Sequence, residues 1–150
     1  MLKIIKTKKS NKDLNALIKE LDQYLKKMDG EDHEFYNQFN HLDCIHHFVV
    51  AYKDKTPIGC GAFRKIDNKT VEIKRMYVEN EFRRKGVAKE ILLFLENWAQ
   101  QENFTKGILE TGNRQKEAIQ LYEKTGYQKI PNYGQYTQME NSNCFEKHLR

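Results

Sequence analysis

Polar and apolar residues alternate over positions 2–7, the pattern of a half-buried strand. After Ser10-Asn11 the period lengthens. Leu14, Leu17, Ile18, Leu21, Tyr24, Leu25 and Met28 recur on one stripe of an amphipathic helix, which Gly30 ends. Positions 31–40 read as a second short helix or a mobile loop. Positions 45–52 predict a strand, Lys53-Asp54-Lys55-Thr56 a turn, 58–65 an antiparallel partner, Asp67-Asn68 a second turn and 70–78 a third strand. Beyond Gly86 the period is helical again through Val87, Ile91, Leu92, Leu95 and Trp98. A strand over 105–110, a helix over 115–125 stopped by Gly126, and closing strands over 127–130 and 143–149 complete the chain. The order β-α-α-β-β-β-α-β-α-β-β is a meander followed by βαβαβ. It predicts a mixed α/β (α+β) architecture, one sheet with helices on both faces.

Composition narrows the class. The chain has 150 residues, 39% hydrophobic, 31% charged and 11% aromatic, with 8 Gly and 2 Pro. Periodic apolar blocks argue against disorder, and without a linker or repeat the expectation is a single domain over 1–150. No apolar run approaches the ~20 residues that span a bilayer, and the N-terminus does not read as a signal segment, so a soluble cytoplasmic protein is expected. The widely spaced Cys44, Cys60 and Cys144 suit reduced thiols. A formal charge of +5 favours anionic partners without choosing between phosphates and nucleic acid.

The segment Glu79-Asn80-Glu81-Phe82-Arg83-Arg84-Lys85-Gly86-Val87-Ala88 lies between a predicted strand and a predicted helix. Free amides at a helix start and the positive end of its dipole make an anion site, and Gly86 with small Ala88 lets a phosphate approach the main chain. By itself this also reads as a solvated basic turn. It is followed by Ala118-Ile119-Gln120-Leu121-Tyr122-Glu123-Lys124-Thr125-Gly126-Tyr127 and preceded by Glu72-Ile73-Lys74-Arg75-Met76-Tyr77-Val78. In that order and context, the chain resembles the GNAT superfamily of acyl-CoA-dependent N-acetyltransferases.

The resemblance implies the GNAT fold, a mixed, mostly antiparallel sheet of six to seven strands, and acetyl-CoA as co-substrate without a metal. It implies that Arg83, Arg84, Lys85, Gly86, Val87 and Ala88 hold the pyrophosphate, chiefly through backbone amides. It further implies that the main chain of Met76 and Val78 pairs with the pantetheine arm, that Tyr122 is the general acid for the departing thiolate, and that Glu72 accepts the amine proton. The family commonly has Asn where this chain has Gln115, and Gly where it has Ala88; Gln115 remains a candidate CoA contact. The chemistry agrees: an alkylamine is mostly protonated at neutral pH, so attack on a thioester needs a base, and the expelled thiolate needs an acid.

Other constellations carry less. His41-Leu42-Asp43-Cys44-Ile45-His46-His47 looks like a ligand set, but adjacent histidines in a strand point to opposite faces, so no metal is expected. Cys60, between Gly59 and Gly61, reads as packing. Glu31, His33 and Tyr36, with Tyr133 and Tyr136 of the late loop, fall where the family places its acceptor site. The expected activity is acetyl transfer to a primary amine by direct attack in a ternary complex, the acceptor being a small molecule. A protein amino group, a non-catalytic acyl-CoA sensor and a basic nucleic-acid module are the alternatives. Neither nucleic acid nor membrane is the expected partner, and homodimerisation is left open.

Overall fold

The computed structural model describes residues 2–37, 42 and 44–149. Its elements are β1 (Leu2–Thr7), α1 (Lys12–Asp29), α2 (His33–Asn37), β2 (His47–Lys53), β3 (Thr56–Lys65), β4 (Thr70–Val78), α3 (Val87–Gln101), β5 (Lys106–Gly112), α4 (Lys116–Lys124), β6 (Gln128–Ile130) and β7 (Ser142–His148). The predicted order is therefore realised. β5 runs two residues past the expected end, to Gly112. His41 and Asp43 of the His/Cys segment lie outside the described residues, as do positions 38–40 of the expected second helix. Among the described residues no helix is long and apolar enough to cross a membrane.

Local chemistry explains the helix limits. Asn11 caps α1 by accepting from the amides of Asp13 and Leu14 at 2.8 and 3.0 Å, which satisfies two of the orphan donors of the first turn. Gly30 ends it with φ +56°. The buried stripe Leu14, Leu17, Ile18 and Leu21 packs α1 on one face of the sheet, against Phe48, Val50, Cys60 and Ala62. The aliphatic face of α3, Ile91, Leu92 and Leu95, packs on the other, with Val49, Phe63, Val71 and Leu109.

The seven strands run in the order β1-β2-β3-β4-β5-β7-β6. All neighbours are antiparallel except β4 and β5, which are parallel because α3 crosses over between them. Two features of β4 position the site. Its pairing with β5 is confined to Thr70↔Lys106, Val71↔Gly107 and Glu72↔Ile108, after which residues 73–78 and 109–112 have no partner across the gap. The sheet splays open there. The second feature is a bulge: Cys60 faces Tyr77 and Ala62 faces Lys74, so Arg75 and Met76 together oppose Gly61. Arg75 takes φ +59° to make it.

Gly59 and Gly61 show why the strand beside the bulge carries no side chains there. A Cβ on Gly61 would lie 2.8 Å from Ile91 and from the Met76 sulfur, and one on Gly59 would lie 2.9 Å from Ile91. Cys60 between them is fully buried, and burial pushes its thiol up to about 12. That is the packing role read from the sequence.

Candidate active site

The splay between β4 and β5 forms a cleft with about 620 Å³ of space, open to solvent. β4 contributes Glu72, Lys74, Arg75 and Met76; β5 contributes Glu110 and Thr111; α4 contributes Tyr122 and its entry Gln115; α1 and the late loop add Leu21, Leu25 and Tyr136. Thus Glu72, Met76, Gln115, Tyr122 and Tyr136, scattered through the sequence, come together at one opening.

At one end of the cleft α3 begins. Gly86 precedes it with φ +84°, and a Cβ there would meet nothing within 4 Å, so the ground above the helix start is open. Among the described residues no side chain caps the helix, leaving its first amides available to an anion with the dipole behind them. Arg84 and Lys85 are exposed beside it; Arg84 reaches Glu117 at the start of α4 at 3.0 Å. Val87 is buried and Ala88 half-buried as the first helical residues. Arg83 behaves differently from its neighbours. Its Nε donates to the Val78 carbonyl at 2.8 Å and its guanidinium stacks over Tyr24 and Tyr77, so it braces the loop against β4 and α1. Because the Glu79 amide bonds to Ile58 of β3, strand alternation turns the backbone groups of Val78 to the opposite side, and Arg83 meets its carbonyl there.

Tyr122 is 6% exposed, packs edge-on to Tyr127 and against Phe145, and lines the cleft. Burial, with the Glu110 charge adding to it, holds its phenol above the ordinary tyrosine value, so it keeps its proton at neutral pH. Tyr127 is itself fixed by donating to buried Glu96 at 2.8 Å, which also holds Lys147.

Glu72 is 1% exposed, and both of its oxygens are engaged. Oε1 accepts from Arg64 at 3.1 and 3.2 Å with Lys74 at 3.6 Å, and Oε2 accepts from the Tyr133 hydroxyl at 2.6 Å. Glu110 is the carboxylate that the sequence reading passed over. It lines the same cleft on β5, and burial pushes it up to about 7; hydrogen bonding from Ser142 and the charge of Lys74 pull the other way, and the charges of Asp29 and Glu72 add to the rise. The available signal was an acid ending the apolar run Gly107-Ile108-Leu109, one turn of chain before the Tyr122 helix.

The late-loop tyrosines cluster with α2. Tyr36 and Tyr136 stack with centroids 6.3 Å apart, Tyr133 meets Tyr136 edge-on at 5.8 Å, and Tyr36 shares a 2.7 Å hydrogen bond with Ser142. Glu31 and His33 do not line the cleft: Glu31 is exposed, and His33 is half-buried with its Nδ1 3.9 Å from Asp29. Among the described residues no group of three or more His, Cys, Asp or Glu could hold a metal.

Comparison with known proteins identifies the family and the fold. The acetyltransferase (GNAT) family model matches residues 14–127. An uncharacterized N-acetyltransferase of Bacillus subtilis is 33% identical over 104 residues, 68% of this chain and 69% of its own length. Other curated relatives are matched over about two fifths of their length. Among solved structures, an acyl-CoA N-acyltransferase of Klebsiella pneumoniae superposes with TM-score 0.84 at 26% identity, covering 100% of this chain and 99% of that one. An N-acetyltransferase of Thermoplasma acidophilum, solved in complex with coenzyme A, superposes with TM-score 0.75 at 21% identity, covering 99% of each chain. With its parallel β4–β5 pair splayed beside an uncapped glycine-led helix, and with the family model matched through the Tyr122 helix to Tyr127, this chain belongs to the GNAT family of N-acetyltransferases.

Proposed function

We propose that this enzyme transfers the acetyl group of acetyl-CoA directly to the primary amine of a small molecule, with Glu110 as general base and Tyr122 as general acid. The observation that carries the reading is the pairing, in one cleft, of a carboxylate that titrates at about 7 with a phenol that stays protonated. Two groups with pKa values pushed apart by their surroundings are suited to opposite proton transfers.

The steps follow from that division. The pyrophosphate of the co-substrate lies on the α3 amides from Val87 onward, with Arg84 and Lys85 adding charge and Gly86 adding room. The pantetheine arm runs into the gap between β4 and β5 beside Met76 and Val78, with Gln115 at its rim. The acceptor ammonium loses a proton to Glu110, and its nitrogen attacks the thioester carbonyl. The tetrahedral intermediate collapses with cleavage of the carbon–sulfur bond; the thiolate takes the Tyr122 proton, and the Tyr122 phenolate recovers the second proton of the attacking nitrogen, which leaves the neutral amide. Backbone amides freed by the splay stabilise the oxyanion. Glu72, held by Arg64 and Tyr133, positions the wall in this scheme, whereas Glu110 has the freer carboxylate. The bound coenzyme A of the Thermoplasma relative supports the donor assignment. A small acceptor suits a cleft closed on one side by the tyrosines of the late loop.

Thermal unfolding with millimolar acetyl-CoA, CoA and ATP tests the donor site, since a ligand that binds the folded state must raise the midpoint. A rise with the first two and not with ATP is expected. Release of free thiol on adding amines then separates an enzyme from an acyl-CoA sensor. Absence of any rise sinks the proposal.

A further inference from the structure

The β4 bulge gives the acceptor end of the cleft a chemistry that the transferase scheme does not use. Directly opposed residues of an antiparallel pair project to the same face. Ala62 and Cys60 pack with Leu14, Leu17 and Ile18 of α1, so their partners Lys74 and Tyr77 also face α1. These two positions are three apart, and a regular strand would put them on opposite faces. The left-handed Arg75 absorbs the difference. Met76 turns to the α3 face, where its sulfur sits against the Gly61 backbone, and Arg75 turns to α1, where its terminal nitrogen donates to Asp22. Two consecutive cations therefore stand on one face of the sheet and line one cleft.

Arg75 is buried there and Lys74 is largely covered. The Lys74 side chain is 11% exposed, and the Arg75 side chain 3%. Among the described residues the Arg75 Nε has no hydrogen-bond partner, although Asp22 serves another nitrogen of the same guanidinium. A buried donor of this kind carries a desolvation penalty that a bound acceptor group would remove. Among the described residues Lys74 makes one ion pair, with Glu72 at 3.6 Å, too long to fill its three donor directions. Across the gap Glu110 faces the same way: it opposes Cys144, which packs with Tyr36 and Tyr136, whereas Leu109 and Phe145 belong to the α3 face. A carboxylate on one strand thus faces two cations on the other.

We infer that the acceptor is a zwitterion, a free amino acid whose carboxylate docks on Arg75 Nε and Lys74 Nζ while its amine meets Glu110. The inference rests on the transferase reading above and adds the class of its acceptor. The apolar residues Leu21 and Leu25, with Tyr136, are left to receive the amino-acid side chain.

The test compares each of the common L-amino acids with its amide and with the amine that lacks the carboxyl group, following thiol release from acetyl-CoA. The amide is the stringent control, because its amine is less basic and more often unprotonated, so chemistry alone favours it. The expected result is that kcat/KM for at least one amino acid exceeds that of its amide by tenfold or more, as for loss of a charged hydrogen bond. Lys74→Met should lower the amino acid to the level of its amide while the midpoint rise with acetyl-CoA persists; Glu72 keeps Arg64 and Tyr133, so the wall survives this change. Arg75→Lys, which keeps the charge and removes Nε, should raise KM for the amino acid and spare that of the amide. Amides or simple amines turned over as well as the acids overturn the inference and leave the transferase standing. So does an absence of turnover with every amino acid in a protein that binds acetyl-CoA. Failure to bind acetyl-CoA removes both.

Discussion

Tyr122 shows what one side chain owes to its neighbours. On its helix it shares an apolar face with Ala118, and a buried tyrosine there would ordinarily be core; the gap between β4 and β5 leaves it lining the cleft instead. Tyr122→Phe keeps the packing with Tyr127 and removes only the proton. We expect kcat to fall about a hundredfold with KM for acetyl-CoA little changed, read from steady-state kinetics. Equal loss of binding would make it a packing residue. Glu110 makes a prediction of opposite sign for activity and stability. Its carboxyl titrates at about 7 in the folded protein against 4.5 in the open chain, so the folded state holds the proton more tightly. The stability from this group is complete below pH 4.5 and is lost as pH rises through 7, where the buried carboxylate must charge. Activity runs the other way, rising through about pH 7 as the base is freed. Glu110→Gln should abolish that limb of the rate profile and yet raise the unfolding midpoint at pH 8, with little change at pH 5. The role proposed for Tyr122 was legible because its helix motif is local. Glu110 was not, since only burial distinguishes it from a surface acid.

The start of α3 and the bulge in β4 are the two elements on which the site turns. The former was readable: Gly86 before a helical period is a local signal, and its φ of +84° is the backbone that glycine favours. Gly86→Glu places a bulky negative group on the ground assigned to the pyrophosphate. The midpoint rise with acetyl-CoA should disappear while the protein remains folded by circular dichroism. A fold that retains full acetyl-CoA binding would put the phosphate elsewhere. The bulge was not readable. The segment 70–78 scans as one strand, and the extra residue appears only when β3 is set beside it with Gly61 under two residues. Gly61→Ala drives a methyl into Ile91, Met76 and Leu95, and should cost about 1–3 kcal/mol in denaturant unfolding. The cost should be smaller at Gly107, where a methyl would meet only the end of the Tyr127 side chain.

Across the whole molecule, the connection from β6 to β7 begins at the far edge of the sheet and returns to β4 through the bond from Tyr133 to Glu72. It is also tied to the α1–α2 turn by Asn141 on Asp32 at 2.6 Å and by Tyr36 on Ser142. Tyr136, which lines the cleft, is therefore backed by residues about a hundred positions apart in the chain, Tyr36 and Ser142, which are separated by 106. Tyr133→Phe with Tyr136→Phe cuts the bond to Glu72 and leaves both rings in place, and KM for the acceptor should rise severalfold while that for acetyl-CoA holds. Unchanged acceptor kinetics would take the late loop out of the acceptor site. What the sequence determined alone is the set of elements, their order and the donor-side motif, because hydrophobic period, helix caps and a glycine at a helix start act over a few neighbouring residues. Where β4 and β5 part, which carboxylate is freed and which is bound, and which two cations share a face were decided by tertiary structure. Each depends on strand register and on burial by distant segments, and neither quantity exists until the sheet has formed.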